Sequence, residues 1–521
     1  MTGRVLGWRR GYRLLLGGTV ACVALADFLF FGHVVGWTAG LFTAVLLTLL
    51  VLRGGRFFGN WPGRVLFVAA AGLVVALVEE PGVLPVLMTA LCVAMLSVLN
   101  RAGWCAGVVA WAKRLLDLST RGLLRLFTDN RIAARRLRRH PVSGAGPARA
   151  AVVWVLPVGL GAGFVGLFTL ANPLISRWVG ELVDGVGNLW SLCAGFCSLS
   201  RNAFWVATAM VVYGLLRARR YYEARRDDGA GESAATFEPE PWEAARAAKR
   251  AGFETGIVVR CLAVFNALFL VQNALDVVYL FGGMRLPDGM SYAAYAHRGA
   301  YPLVATALLA AAFVLAAFRP GAAAERSALA RRLVYLWVAQ NVFLTVTAAW
   351  RLDLYVDAYS LTRLRLAAGI WMALVAAGLA WIACRIVLRR SNAWLLHANL
   401  LTAGVVLYAC CFVNFNGFIA EFNVRHCRET AGGGEPIDLA YLRRLGPEAL
   451  PALRRVLPLI ADGPRSLIAK TYAGELEARL DETLSDWRGW TLRRGRLRGG
   501  GAAPLRPVRL YAAGRRGGHV R

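Results

Sequence analysis

The chain has 521 residues, 57% of them hydrophobic, with a formal net charge of +29 and a mean hydropathy of +0.50. A chain this apolar is excluded from the class of ordinary soluble multi-domain proteins, because its long apolar runs need lipid around them. The basic excess does not indicate nucleic acid, since most of the arginines flank apolar segments, as the positive-inside rule requires of a membrane protein.

The N-terminal MTGRVLGWRRGYR leads into apolar stretches at Leu14–Phe31 and Gly36–Leu52, read as an uncleaved hairpin. Further spans are expected at Val65–Val78, Val83–Leu99, Val152–Ala171, Ala203–Leu216 and Gly256–Phe281. Tyr301–Phe318, Leu333–Trp350, Leu366–Ile386 and Trp394–Ile419 complete about eleven. The expected fold is therefore all-α: a polytopic transmembrane helix bundle with a small helical C-terminal region.

The expected organisation has N-terminal transmembrane helices over 1–112 and a basic amphipathic cytoplasmic segment over 113–150. The main bundle follows over 151–420, then a short helical extramembrane region over 421–490 and a basic disordered tail over 491–521. With the N-terminus inside, the inside connections carry 33 Lys/Arg and the outside ones 7, which orients the bundle and places the C-terminal region outside. Within 113–140, Leu116, Leu123, Leu126 and Phe127 share one helical side and Arg121 and Arg125 another. Such a helix suits an anionic inner leaflet, and a solvated basic loop is the alternative.

Motifs for chemistry are missing. Lys113, Lys249 and Lys470 each follow alanine, so no Walker A loop exists. Gly161, Gly163 and Gly166 match GxGxxG inside an apolar span, where Gly159 and Gly163 read better as a helix-packing pair. The six histidines lack metal-ligand spacing, and no GxSxG elbow occurs. Neither cofactor, metal nor catalytic residue is expected. Of ten cysteines, Cys193, Cys197 and Cys427 fall in segments placed outside, where a disulfide could form.

Polarity inside the spans supplies the candidates. Asp27 lies in the first. In the seventh, Asn266, Asn273 and Asp276 share one side, which should face the bundle interior because an ionisable group in lipid is costly. Gln340, Asn341, Thr345 and Thr347 mark the ninth span, and His397, Asn399, Asn414 and Asn416 the eleventh. At the outer face, His297, Arg298, Arg351, Asp353, Asp357 and Arg363, with neighbouring tyrosines, form a cluster that reads as interface anchors or as an anionic-headgroup site. Arg351 or Arg298 is the expected partner of Asp276.

The strings LFLVQNALDVVYLFGG, LPDGMSYAAYAHRGAYPL, RLDLYVDAYSLTRLRL and IDLAYLRRLGPEALPAL resemble a bacterial polytopic membrane family known as domain of unknown function 4173. The resemblance spans roughly Ala151 to Trp490 and implies a bacterial inner-membrane helical protein; it brings no activity. Two functions are expected as rivals. The first is a non-enzymatic scaffold, regulator or sensor working through its outer helical region. The second is a transporter or lipid-handling enzyme centred on Asp276. Expected partners are a bilayer with anionic headgroups and an unknown membrane or envelope protein.

Overall fold

The computed structural model describes residues 2–104, 107–139, 198–217, 241–281, 312–314, 318, 323–432 and 435–499. All regular structure among them is helical. The chain divides into two compact units. The first comprises Met1–Arg225 with Glu482–Gly495, and the second Arg226–Asp481 with Arg496–Arg521.

The first unit holds α1 (Thr2–Phe30), α2 (Thr38–Leu52), α3 (Trp61–Glu79), α4 (Val83–Ala102), α5 (Val108–Asp117), α6 (Leu123–Arg139) and α7 (Leu199–Leu216). Asn60 caps α3, its side chain accepting from Gly63 N at 3.1 Å beside a proline in the first turn. Asn100 ties the ends of α2 and α4: its amide donates to Leu50 O at 2.9 Å and accepts from Arg56 N at 3.0 Å. A π turn over Leu118–Gly122 separates α5 from α6. Gly122 packs so closely on α7 that a Cβ at Gly214 would stand 3.0 Å from its carbonyl oxygen.

The second unit holds α8 (Pro241–Phe281), α9 (Ala328–Tyr359), α10 (Arg363–Val387), α11 (Asn392–Cys410) and α12 (Phe415–His426). Shorter helices follow: α13 (Leu439–Leu445), α14 (Leu450–Val456) and α15 (Pro464–Ser485), whose last residues, like the start of α16 (Leu492–Gly499), fall in the first unit. The core joins Leu262 and Phe269 of α8 to Val334, Trp337 and Leu344 of α9, Leu379 and Ile382 of α10 and Leu395 of α11.

Among the described residues, seven helices are long and apolar enough to cross a membrane: Trp61–Glu79, Val83–Asn100, Leu199–Leu216, Lys249–Val278, Ala328–Tyr359, Arg363–Val387 and Asn392–Cys410. Leu14–Phe30 and Thr38–Leu52 are shorter apolar helices. This is a helical membrane protein. The expected span Val152–Ala171 and nearly all of Tyr301–Phe318 lie outside the described residues, as do Cys193 and Cys197. α8, at about 1.5 Å per residue, is about 60 Å long, twice the hydrocarbon thickness. Its exposed Arg260 therefore suits the membrane boundary, with the stretch beyond it bearing the exposed Val264, Leu268, Val271 and Leu275 towards lipid.

Two boundaries differ from expectation. The eleventh span ends at Cys410, because Asn414 starts a separate helix by accepting from Gly417 N at 3.0 Å, so Asn414 and Asn416 lie beyond it. The tail expected to be disordered from 491 instead forms α16 over Leu492–Gly499, where Arg493 and Arg494 meet Glu79 and Glu80.

Candidate functional site

α8 and α9 meet along a polar seam. Asn266 Nδ2 donates to Leu333 O at 3.0 Å, and seven residues on Asn273 Nδ2 donates to Gln340 O at 3.2 Å. The constant offset of 67 residues means the two helices run parallel, with a seven-residue repeat of the kind that knobs-into-holes packing uses. Each side-chain amide thus stitches one helix to the other's backbone. Asn266 Oδ1, Asn273 Oδ1, Gln340 Oε1 and Trp337 Nε1 are buried along this seam without a hydrogen-bond partner.

Asp276 ends the seam and is wholly buried. Its carboxylate accepts from Gln272 Nε2 at 3.1 Å, Thr347 Oγ1 at 3.2 Å and Arg351 Nη2 at 3.2 Å. About 24 Å of helix separates it from Arg260, so it stands near the opposite boundary of the apolar layer. The arrangement neutralises a charge and hydrogen-bonds both oxygens, as a buried carboxylate needs.

The structure brings Asp276 together with Arg351, Asn273 and Asn266 on one seam. Arg363 sits at the start of α10 and is held by protein. Its backbone N–H donates to Tyr441 Oη at 2.9 Å and its Nε to Asn416 Oδ1 at 2.8 Å, while Nη2 reaches Leu445 O at 3.2 Å. Beside it, Asn423 of α12 grips Leu361 twice, accepting from its N–H at 2.7 Å and donating to its carbonyl at 2.9 Å. Asp353 is exposed. Asp357 lines a cavity of about 210 Å³ with Ser360, Phe422, Asn423, His426 and Glu435. His297 and Arg298 lie outside the described residues. Among the described residues, no group of three or more His, Cys, Asp or Glu side chains is arranged to hold a metal ion.

Two clusters were not anticipated. In the first unit Asp27 is paired with Arg201, whose Nε donates at 2.8 Å, and accepts from Trp205 Nε1 at 2.8 Å. This carboxylate–guanidinium pair joins α1 to α7 as Asp276–Arg351 joins α8 to α9. The second cluster is a strap, residues 486–494, laid over the α1–α2 and α3–α4 turns. Trp37 N donates to Trp490 O at 2.8 Å and Trp37 Nε1 to Trp487 O at 3.1 Å. Arg488 donates to Phe28 O at 2.9 Å and stacks 4.5 Å above the Phe28 ring. His33 meets Asp486 at 2.8 Å, and Arg494 meets Glu80 at 2.6 Å. The Arg488 N–H bonded to Asp486 holds that carboxyl below its ordinary value. Glu421, pushed up by burial, is brought below its ordinary value by the stronger combined pull of Arg425 and Arg455.

No curated protein and no solved structure matches the chain. A family model does, over residues 18–456, under the description "Domain of unknown function (DUF4153)". It agrees with the resemblance in being a family of unknown function, differs from it in number, and takes in the N-terminal helices that the resemblance left out. The chain belongs to the DUF4153 family.

Proposed function

We propose that this protein is a non-enzymatic platform of the bacterial inner membrane, N-terminus inside, which mounts the helical region after α11 rigidly on the outer side for contact with an envelope partner. The observation that carries this reading is the use made of Arg363 and Asn423. Arg363, nominated for a headgroup site, instead ties the turn 361–363 to α12 and α13, and Asn423 of α12 clamps the same turn at Leu361. A ligand-binding arginine keeps donors free, whereas these donors are aimed at carbonyl and amide oxygens of the protein. The mounted region exposes Leu459, Leu467 and Ile468 amid polar residues, a composition suited to a protein partner.

The orientation rests on the 33-to-7 charge asymmetry and on the strap. The strap lies against the α1–α2 and α3–α4 turns, both outside when the N-terminus is inside, so one topology accommodates both ends of the chain.

A second reading, a transporter using the α8–α9 seam, is favoured by the four buried polar atoms left without partners there. Complementation in a strain lacking the chain separates the two. On the platform reading, Asp276→Asn supports normal function and the pair Leu467→Glu with Ile468→Glu abolishes it, both at unchanged protein level. Loss of function in Asp276→Asn alone would overturn the platform reading in favour of the seam.

A further inference from the structure

We propose that α5 and α6 form a lipid-recognition element that binds anionic headgroups of the leaflet at the N-terminal end of α1. Both helices are anchored at the depth of the headgroups. Arg114 of α5 donates to Gly103 O at the end of α4, at 3.2 Å, and Arg125 of α6 donates to Arg217 O at the end of α7, at 2.9 Å. Tyr12, two residues before the apolar stretch of α1, hydrogen-bonds Asn130 of α6. All three anchors stand where apolar helices end on one side of the bundle, which is the level of the headgroups.

Side chains are sorted around the element as a headgroup boundary requires. The π turn inserts an extra residue between α5 and α6 and shifts their faces relative to an uninterrupted helix. Arg125, expected on the same side as Arg121, meets Asp117 at 3.0 Å and is largely buried. Both acids of the segment are held by arginine, Asp117 by Arg125 at 3.0 Å and more loosely by the exposed Arg121 at 3.7 Å, and Asp129 by Arg217 at 3.0 Å. The outward side keeps Lys113, Arg121 and Arg131, interleaved with Val109, Leu116 and Leu124. Leu116 is 64% exposed and Leu124 55%. Water stabilises the cations and not the leucines; a bilayer interior does the reverse. The headgroup boundary of an anionic leaflet satisfies both, with apolar side chains in the acyl region and cationic heads at phosphate. A protein partner would be expected to meet a mixed-charge rim, whereas the exposed charges here are cationic.

The test uses the full-length chain in nanodiscs of phosphatidylcholine with phosphatidylglycerol, carrying a photo-crosslinking residue at Leu116. Mass spectrometry of the adducts should find phospholipid, with phosphatidylglycerol enriched severalfold over its share of the disc. The double variant Lys113→Gln, Arg121→Gln, both exposed and so expected to keep the fold, should return the adducts towards the disc composition while lipid is still captured. Adducts to a second copy of the chain, no lipid adduct, or an enrichment unchanged in the double variant would each overturn the proposal.

Discussion

Asp276 and Arg351 form an ion pair whose members depend on each other unequally. Arg351→Leu leaves a wholly buried carboxylate with only Gln272 and Thr347, and removing one member of a buried pair costs about 3–5 kcal/mol. Asp276→Asn keeps an acceptor and loses much less. Unfolding of the detergent-solubilised variants should therefore rank wild type and Asp276→Asn close together, with Arg351→Leu and Asp276→Leu well below; the reverse order would contradict the pairing. The side of α8 carrying this carboxylate is readable from sequence, because Asn266, Asn273 and Asp276 recur at helical spacing. Arg201 and Asn423 are not readable. Asp27 and Arg201 stand 174 residues apart, and no periodicity connects residues in different helices.

Glu421 adds a pH dependence. Its pairs with Arg425 and Arg455 hold the folded carboxyl below the ordinary value of 4.5, so their stabilisation is fully present above that value. It is lost as pH falls below 4.5 and through the depressed folded value. Protection factors of amides in α12 and α14, which correct for the intrinsic slowing of exchange in acid, should fall on acidification through that range, and Glu421→Gln should be destabilised at neutral pH with a flatter acid profile. Equal acid sensitivity in the variant would remove Glu421 from the account.

Among elements, the strap shows what local patterns leave out. An Arg/Gly-rich stretch after Trp487 reads as disordered by composition, yet Arg494 finds Glu80 and Trp490 O finds Trp37 N. Those partners come from turns more than 400 residues earlier. Gly36 makes the fit possible, because a Cβ there would overlap the carbonyl oxygens of Arg488 and Trp490. Gly36→Ala should therefore lift residues 486–494 off the turns, exposing a new protease site and changing the fluorescence of Trp487, while α1–α4 stay folded. Unchanged protection would mean the strap tolerates displacement. The π turn and the break after Cys410 escaped sequence reading for related reasons. One residue of extra winding leaves no compositional mark, and Cys411, Phe412 and Val413 continue the apolar run of α11 up to its break.

At the scale of the molecule, spans were legible because lipid imposes one rule on each of them, a long apolar helix with cationic ends. Membership of DUF4153 brings no chemistry with it, and of the nominated residues Asn266, Asn273, Asp276 with Arg351, and Arg363 bond one helix to another. What the proposed platform can meet depends on the side of the membrane on which the mounted region stands. If turns 31–37 and 79–82 are outside, the strap laid over them is outside too, and the chain crosses the membrane an odd number of times before it. Alkaline phosphatase and a fluorescent protein fused separately after Arg521 measure this directly. The account predicts an active phosphatase and a dark fluorescent fusion; a bright fluorescent fusion with inactive phosphatase would place the C-terminal region in the cytoplasm and contradict it.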